Sequence, residues 1–325
     1  MSINLKLDPS ALKAFEGAAA GHDGVLSDPS GELLIKPSTQ QEIDFYQQTL
    51  NEHPEFSELI PKFMGTLSLG ASAQALDLTA VSDNAEESQA YEDKRLHGKA
   101  IDTQTAIVLE NLSHGFSKAN VLDIKLGSKL YKDGTPAEKA ARLDKVASDT
   151  TSGSLNFRIA GMTVWNGESF DTYDKFYGRK FNADDVNEGF RTFFRGLTTG
   201  VHPEQAVEVL ETIDAEIAKI RHILERNESR MYSASILIVY EGDVSALKNL
   251  MGRQQKAPSA QEKAPTLGEV KASEEDDDDE EDPVPCKVKM IDFAHAKWTP
   301  GEGKDENVIT GLGNIEKQMD LLISG

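Results

Sequence analysis

Three side chains of this sequence are of the types that phosphate chemistry requires. Asp123 and Lys125 stand two positions apart in the segment 120–127, and Asp292 stands in the apolar segment 288–295. Phosphoryl transfer needs a cation on the nucleotide phosphates, carboxylates that hold magnesium, and a carboxylate near the attacking hydroxyl. Asp123, Lys125 and Asp292 could supply such parts if the fold brings them together.

The segment 120–127 has the composition of a β-strand, with apolar residues at positions 122, 124 and 126. Because side chains of a strand alternate with a period of two, Asp123 and Lys125 share one face and the apolar residues point the other way. The pattern leaves two interpretations open. The polar face either lines a site or lies on the surface of an edge strand.

Asp292 is an acid among apolar residues, and this predicts a special environment. An unpaired charge in an apolar strand costs several kcal/mol, and a bound metal ion would offset that cost. The alternative is that Asp292 ends its strand and caps a turn. His295 follows three positions later, where a histidine more often packs or caps than binds phosphate.

Lys36 ends a short apolar strand at 32–37, and a helix is predicted after it. Ser38 or Thr39 can cap this helix, and Glu42 falls in its first turn. A lysine and a glutamate in this order could form the pair that positions a nucleotide in kinase-like sites. The alternative is a solvated lysine beside a glutamate that stabilises the helix N-terminus.

A second helix, predicted at 135–147 with a proline in its first turn, carries Lys139, Arg142 and Lys145. These residues recur every three positions and can share one face. Such a triplet is usually a solvated helix face. The formal net charge of the chain is −21, however, so a polyanionic substrate would have to be held by a local basic pocket of this kind.

The remaining elements are predicted from apolar spacing and turn residues. A glycine-containing turn at 21–26 between two short strands could approach phosphates closely, and the polar segment 64–96 is predicted to include a mobile loop. Further strands are predicted at 105–112, 157–165, 234–241 and 288–295, and helices at 184–196 and 203–228.

Composition excludes several classes of protein. The sequence contains one cysteine, Cys286, so neither an intramolecular disulfide nor a multi-cysteine zinc site can form. No apolar run approaches the roughly 20 residues that cross a bilayer, and the N-terminus lacks the pattern of a secretory signal. The negative charge disfavours nucleic acid. We expect a soluble, intracellular protein of one or two domains in a reducing compartment.

Residues from about 253 to 285 form a polar segment that contains the acidic run 274–282. The segment has too few apolar groups to offset the loss of chain entropy, so it is predicted to be a disordered insertion. Strand character resumes after it, which places the insertion in a loop between two paired strands. It could be a solubilising spacer or a site for basic partners.

The segment 119–127 resembles the signature of the inositol polyphosphate kinase family: Pro, three residues, Asp, one residue, Lys, one residue, Gly. Asp123, Lys125 and Gly127 match this signature, and Ala119 replaces the proline. Further blocks resemble the same family and together span nearly the whole chain. They are residues 20–26, 34–46, 150–162, 233–242, 291–295 and 305–312.

Within this family the sequence is most similar to the fungal multikinases, through 120–127, 151–155 and the acidic insertion. The resemblance implies an α+β, two-lobed protein-kinase-like inositol polyphosphate kinase fold, with an antiparallel N-lobe sheet and a larger α/β C-lobe. The N-lobe would comprise 1–112 and end in a hinge at Glu110–Leu112. The C-lobe would comprise 113–325, with an inositol-phosphate-binding helix at about 135–147 and the disordered acidic insertion at about 253–285.

The resemblance also implies roles for single residues. Catalysis would fall to Asp123 and Lys125. ATP would be bound by Lys36, Glu42, Glu110, Leu112, Asp123 and Asp292. The substrate would be bound by Lys125, Lys139, Arg142, Lys145 and His295. Magnesium would be held by Asp292 and Ser235, although the block around Ser235 and the residue Asn156 depart from the usual family pattern.

The function that the resemblance implies is an ATP- and Mg2+-dependent multikinase that converts inositol trisphosphate to tetrakis- and pentakisphosphate. One alternative is an inositol hexakisphosphate kinase that makes pyrophosphates, because that branch shares the patterns around Asp123 and Asp292. The trisphosphate 3-kinase branch fits less well, since it generally lacks the Ala-His that follows Phe293. Another alternative is a scaffold whose acidic insertion binds transcription factors or other basic proteins. We expect a monomer of the nucleus and cytoplasm.

Overall fold

The computed structural model describes residues 11–15, 17, 19, 24–68, 103, 105–254 and 284–325. The strands are β1 Lys13–Ala14, β2 Leu26–Ser27, β3 Leu33–Pro37, β4 Phe63–Ser68, β5 Thr105–Glu110, β6 Ala119–Leu126, β7 Phe157–Trp165, β8 Phe170–Tyr173, β9 Ser229–Met231, β10 Ser235–Glu241, β11 Cys286–Ile291 and β12 Ala296–Trp298. The helices are α1 Gln40–Glu52, α2 Pro54–Ser57, α3 Ala137–Ser148, α4 Thr151–Leu155, α5 Lys175–Gly178, α6 Asn187–Phe193, α7 Arg195–Gly200, α8 Pro203–Arg226, α9 Val244–Gln254 and α10 Glu306–Ile323.

The first sheet has the strand order β1-β2-β3-β5-β4, and all of its pairings are antiparallel. The predicted pair of short strands around the glycine turn is confirmed, because β1 pairs with β2. The tip of the turn, at 20–23, lies outside the described residues. β3 leads directly into α1, whose N-cap is Thr39; its side chain accepts a hydrogen bond from the backbone N–H of Glu42.

Residues 64–68 begin the polar segment 64–96, which was predicted to include a mobile loop. These first residues belong to β4, which pairs with β5 along the edge of the first sheet. An edge strand with one face in solvent can be polar, so polar composition is weak evidence against a strand. The rest of the predicted loop, from 69 to 96, lies outside the described residues.

The second sheet has the order β11-β10-β6-β7-β8 and is also antiparallel throughout. Its centre is β6, the strand that carries Asp123 and Lys125. The prediction of an insertion between paired strands is confirmed, since β10 pairs with β11 and the intervening segment begins with α9. The acidic run itself lies outside the described residues.

The main core lies against one face of the second sheet, where α8 and α10 cover it. α8 presents Ile213, Ile217, Ile220 and Leu224, all fully buried, at the spacing of one helix face. Burial of side chains of this size contributes about 1.5–3 kcal/mol each. The apolar face of β6, the central strand, is therefore packed against a well-buried core. In the described part of the chain, no helix has both the length and the apolar character of a membrane span.

Candidate functional site

β6 separates an apolar face from a polar face, as its alternation predicted. Leu122, Ile124 and Leu126 are fully buried in the main core. Asp123 and Lys125 lie on the opposite face, where Asp123 is 3% exposed. β10 and β7 flank β6 on its two sides, so β6 is not an edge strand and that alternative is excluded.

A β-bulge determines which residue of β7 lies next to Lys125. Asp123 is opposite Gly161, but Ile124 is opposite Ile159, so Ala160 is the extra residue. Without this shift an apolar side chain would stand opposite Lys125. With it, Arg158 does, and bulges commonly redirect side chains in this way near functional sites.

Asp292 follows directly after the end of β11 and has a left-handed backbone with φ of 67°. The expectation that Asp292 lies within a strand is therefore wrong, and aspartate is among the residues that tolerate this conformation. Its Oδ1 lies 2.8 Å from Lys36 Nζ and its Oδ2 lies 3.9 Å from Lys125 Nζ. The carboxylate thus joins the two sheets.

Lys36, Glu42 and Asp292 form what we call the ion-pair cluster. Lys36 Nζ donates to Glu42 Oε1 at 2.8 Å, and Glu42 is fully buried. Glu42 also accepts hydrogen bonds from Ser38 Oγ at 2.8 Å and from the backbone N–H of Phe293 at 3.2 Å. Burial alone would lower the pKa of Lys36, but the charges of Asp292 and Glu42 outweigh it and the pKa is raised. Lys36 therefore stays protonated.

Asp123 has an unusual protonation equilibrium. Burial raises the pKa of its carboxyl group to about 6; Lys125 opposes this shift, and the charge of Asp292 adds to it. Ser235 Oγ lies near the carboxylate, but the two groups do not form a well-directed hydrogen bond. Ser235 Oγ and Asp123 Oδ1 are buried without hydrogen-bond partners among the described residues. Asp123 can therefore exchange a proton near neutral pH.

Arg158 extends this polar face toward a group of cations. It is 9% exposed, and its Nη1 donates to Ser152 Oγ at 2.7 Å. Burial, together with the charge of Arg179, lowers the pKa of Arg158 to about 10. Burial and the charge of Arg142 in turn lower the pKa of Arg179. Arg179 is therefore close enough to Arg158 and to Arg142 for their charges to repel.

His295 lies at the other end of the same group. Burial lowers the pKa of its imidazole, and the charges of Lys139 and Lys132 lower it further. Its Nδ1 is buried without a hydrogen-bond partner in the described part of the protein. We define the cationic cluster by its basic side chains. They are Lys132, Lys139, Arg142, Arg158, Arg179 and His295.

Lys145 was expected to share a face with Lys139 and Arg142. All three side chains are exposed, but Lys145 pairs with Asp149 at 2.8 Å. Six residues along an α-helix correspond to about 1.7 turns, so positions 139 and 145 lie roughly 120° apart around α3. No interaction of Lys145 with the cationic cluster is present among the described residues. The resemblance-based role of Lys145 therefore has no geometric support.

The expected hinge lies between the two sheets, since β5 ends at Glu110. Leu112 is buried and packs with Val121, Val239 and Ala19 in a small apolar cluster. Val121 lies on the same face of β6 as Asp123, two positions before it. An apolar surface therefore adjoins the ion-pair cluster, which suits the base of a nucleotide; the backbone contacts of Glu110 and Leu112 stay predictions.

Sequence reasoning missed three cations of the site: Arg158, Arg179 and Lys132. Arg158 carried a usable signal, because it is a charged residue between buried apolar neighbours in a predicted strand. Lys132 lies in the loop after β6, where its Nζ donates to Gln41 Oε1 at 2.7 Å. Neither Lys132 nor Arg179 has a sequence spacing that indicates its position in space.

A divalent metal fits the polar face of β6. Asp292 offers carboxylate oxygens, and the partnerless Ser235 Oγ and Asp123 Oδ1 are further oxygen donors on this face. The described residues contain no cluster of three or more His, Cys, Asp or Glu side chains suited to a metal. Mg2+ sites commonly use one or two protein carboxylates and complete the coordination shell with substrate phosphates and water. The carboxylates of Asp292 and Asp123 suit a site of this kind.

A cavity of about 800 Å3 adjoins the cationic cluster at Lys132. α1 contributes Gln41, and the loop after β6 contributes Lys129 and Lys132. Arg230 and Tyr232 also line the cavity. The cavity is polar, and Lys132 both lines it and lowers the pKa of His295.

Comparison with known proteins agrees with this geometry. A family model described as inositol polyphosphate kinase matches residues 106–320. The chain is 30% identical to the inositol polyphosphate multikinase of Saccharomyces cerevisiae, over 93% of this chain and 96% of the relative. It is 31% identical to inositol hexakisphosphate kinase 1 of Rattus norvegicus, over 66% of this chain and 51% of the relative.

A solved structure is similar over nearly the whole fold. It is the inositol phosphate multikinase Ipk2 of S. cerevisiae in complex with ADP and Mn2+, with a TM-score of 0.64 and 26% identity. The match covers 90% of this chain and 100% of that chain. The expected α+β, two-lobed kinase-like fold is thereby confirmed.

Proposed function

Because this chain belongs to the inositol polyphosphate kinase family, we propose that it is a multikinase acting on inositol trisphosphate and tetrakisphosphate. It transfers the γ-phosphate of ATP to ring hydroxyls and forms inositol pentakisphosphate. One observation carries the proposal. The ion-pair cluster and the cationic cluster meet at Asp123, whose buried carboxyl group has a pKa of about 6.

The ion-pair cluster serves the nucleotide. Lys36 keeps its charge and can bind nucleotide phosphates, and Glu42 holds it in place at 2.8 Å. The similar solved structure contains ADP and Mn2+, which supports an ATP and divalent-metal requirement. When bound, the metal neutralises charge on the transferring phosphates. Asp292 would hold it, with Ser235 Oγ as a second oxygen donor.

The cationic cluster serves the acceptor. An inositol polyphosphate carries several phosphate groups, and fixed cations in a partly buried site can bind them despite a formal net charge of −21. Arg158 and Lys125 lie in one row across the sheet and can orient phosphates beside Asp123. Lys139 and Arg142 on α3 contribute further cations.

Asp123 acts on the attacking hydroxyl. A carboxylate with a pKa near 6 is mostly ionised at pH 7, and it can accept the hydroxyl proton as the new bond forms. Lys125 lies on the same face, with its Nζ donating to the carbonyl oxygen of Ser233 at 2.8 Å and lying 3.9 Å from Asp292 Oδ2. It can bridge the acceptor and the transferred phosphate.

The products distinguish a multikinase from a hexakisphosphate kinase. The near-complete coverage of the multikinase relative favours the first, since the hexakisphosphate kinase aligns over about half of its own length. Purified protein should be incubated with ATP, Mg2+ and a panel of inositol phosphates, and the products separated by chromatography. We expect pentakisphosphate from trisphosphate. Pyrophosphates from hexakisphosphate, without turnover of trisphosphate, would overturn the multikinase proposal.

We further propose that the protein is a monomer of the nucleus and cytoplasm, with basic proteins such as transcription factors as partners. Nine acidic residues in succession, 274–282, support a basic partner through charge complementarity. Deletion of 274–282 should reduce recovery of such partners and leave product formation unchanged. Unchanged recovery would identify the insertion as a spacer.

A further inference from the structure

Asn307, the second residue of α10, binds the loop that follows β6. Its Oδ1 accepts hydrogen bonds from the backbone N–H groups of Ser128 at 2.8 Å and Lys129 at 3.0 Å, and from Ser128 Oγ at 3.2 Å. Its Nδ2 donates to the carbonyl oxygen of Lys129 at 3.1 Å. One amide side chain therefore satisfies both backbone polar groups of Lys129.

Gly127 allows this approach. Its φ is +89°, in the left-handed region, and a Cβ at this position would lie 2.3 Å from Asn307 Nδ2. A larger residue would collide with the amide, so the third fixed residue of the Asp-x-Lys-x-Gly spacing makes room for Asn307. The backbone N–H of Gly127 donates to the carbonyl oxygen of Asn156 at 2.7 Å.

Asn156 completes the arrangement on the other side. Its backbone is left-handed, with φ of 56°, and its Nδ2 donates to the carbonyl oxygen of Asn307 at 3.2 Å. α10 approaches so closely that a Cβ on Gly311 would lie 2.2 Å from the Asn156 carbonyl oxygen. The end of β6, the end of α4 and the start of α10 are thus interlocked by hydrogen bonds.

The loop held by Asn307 carries two lysines. Lys129 and Lys132 both line the 800 Å3 cavity. Lys129 Nζ pairs with Asp133 Oδ1 at 2.7 Å, and Lys132 lowers the pKa of His295. Lys125 lies two positions before Gly127 on β6. A shift of this loop would move Lys129 and Lys132 together, whereas Lys36, Glu42 and Asp292 are held by other elements.

We propose that Asn307 is a positioning residue that sets the affinity for the inositol phosphate by fixing the loop 127–132. The proposal rests on the function proposed above. Asn307 acts through the backbone of Ser128 and Lys129. None of its side-chain hydrogen bonds in the described part of the chain reaches the ion-pair cluster.

Steady-state kinetics of Asn307→Ala test this role against a matched control. Asn314 lies on the same helix, and its Nδ2 donates to the carbonyl oxygen of Leu155 at 3.0 Å, so Asn314→Ala removes an anchor of the helix but none of the loop. We expect Asn307→Ala to raise KM for inositol trisphosphate about tenfold and to leave KM for ATP within about twofold. Asn314→Ala should change neither KM by more than about twofold.

Asn307→Asp supplies the conservative rescue. It retains the acceptor atom that receives most of the hydrogen bonds, but it places an oxygen where Nδ2 was, 3.1 Å from the Lys129 carbonyl oxygen. It should therefore recover only part of the affinity that Asn307→Ala loses. Equal increases in both KM values, an unchanged KM in folded Asn307→Ala, or the same increase in Asn314→Ala would each overturn the proposal. If Asn307→Ala does not fold, Asn307→Gln, which displaces the amide by one methylene, must give the same selective increase.

Hydrogen exchange separates this inference from the proposed function. The amides of Ser128 and Lys129 should be protected in the wild-type protein and should exchange at least about tenfold faster in Asn307→Ala. Unchanged protection would overturn the positioning role even in an active enzyme. Failure of the wild-type protein to phosphorylate inositol trisphosphate would instead refute the proposed function, and the exchange rates would still decide whether Asn307 holds the loop.

Discussion

The ion-pair cluster and the cationic cluster differ in how their charges are balanced. In the ion-pair cluster, Lys36 lies 2.8 Å from each of two carboxylates, and attraction raises its pKa. In the cationic cluster, burial and like charges lower the pKa values of Arg158, Arg179 and His295. The first region is organised by its own charges, whereas the second holds cations in an unfavourable state that a polyanion would relieve.

This difference teaches how the site can distinguish its two substrates. In a region whose charges are already paired, a nucleotide and its metal need only rearrange the existing ion pairs. A region of mutually repelling cations gains most from a ligand with several negative groups at fixed spacing. Asp123 lies where the two regions meet, and its carboxyl group responds to charges from both.

The largest expected effect comes from Asp123. Asp123→Asn removes the group that accepts the hydroxyl proton, so kcat should fall by about 10²–10⁴-fold. The wild-type rate should also fall as the pH is lowered through about 6, because Asp123 is then protonated. Both effects can be measured by product formation across pH 5–8.

Asp214→Asn is the matched control for this prediction. Burial and the nearby carboxylates of Glu316 and Asp320 raise the pKa of Asp214 to about 6 as well, but Asp214 lies on α8, away from the site. Asp214→Asn should leave kcat unchanged, and its rate should still fall as the pH is lowered through about 6. A normal rate in Asp123→Asn, or a rate in Asp214→Asn that no longer falls at acidic pH, would contradict the assignment.

Removing one cation from each region should affect stability differently. Lys36→Met leaves Glu42 buried without its cation, which should lower the free energy of unfolding by about 3 kcal/mol. Arg179→Met removes a cation whose pKa is lowered by burial and by the charge of Arg142, with a smaller opposing effect of Asp174, so it should lower stability by less than about 1 kcal/mol. Denaturant unfolding measures both values.

Kinetics of the same two variants sharpen the comparison. Arg179→Met should raise KM for inositol trisphosphate about tenfold and leave KM for ATP nearly unchanged. Lys36→Met should mainly impair the use of ATP. If Arg179→Met destabilises the protein as much as Lys36→Met does, the contrast between the two regions is wrong.

The pH dependence of stability gives the next effect. The folded protein keeps the Asp123 proton up to about pH 6, whereas the unfolded chain releases it near the ordinary aspartate pKa of 3.8. The folded state therefore binds more protons in this interval, and its stability falls as the pH rises from about 4 to 6. Asp123→Asn should remove the contribution of Asp123, leave the similar contribution of Asp214, and stabilise the protein at pH 8 by up to about 3 kcal/mol.

Thermal or denaturant unfolding of wild type and Asp123→Asn at pH 4 and pH 8 tests this prediction. The stability difference should be small at the acidic end and large at the basic end. A difference that is independent of pH would show that Asp123 titrates normally in the folded state.

The smallest effect is expected at Lys145. Its side chain is exposed, and its partner is Asp149 on the same helix. Lys145→Ala should change KM for inositol trisphosphate by less than about twofold, whereas Lys139→Ala, next to His295, should raise it severalfold. Equal effects at 139 and 145 would place Lys145 at the acceptor after all.

Much of the fold was predictable because local patterns determine it. The alternation of 120–127 correctly separated Asp123 and Lys125 from the apolar face, and the spacing of 203–228 predicted α8 to within two residues. The order of Lys36, a helix and Glu42 anticipated their ion pair. These features depend on apolar residues that recur every two residues in a strand or every 3.6 residues in a helix, and this spacing can be recognised in the sequence alone.

The acceptor side could not be predicted to the same degree, since it depends on register and distance in space. Arg158 faces Lys125 only because Ala160 is bulged out of the β6–β7 pairing. Arg179 follows α5 and Arg142 lies on α3, and only the folded chain brings their charges close together. Asp292 departs from its predicted strand because its backbone turns left-handed, and no apolar pattern records that turn.

The salt bridge between Lys36 and Asp292 joins residues 256 positions apart in the sequence. During synthesis from the N-terminus, Lys36 and Glu42 can pair early, but neither Asp292 nor the backbone N–H of Phe293 is available until nearly the whole chain has emerged. Until β11 pairs with β10, one side of β10 is an open strand edge. We therefore expect a nascent or truncated chain that lacks β11 to be both inactive and prone to association, so pairing of β11 should coincide with the onset of activity.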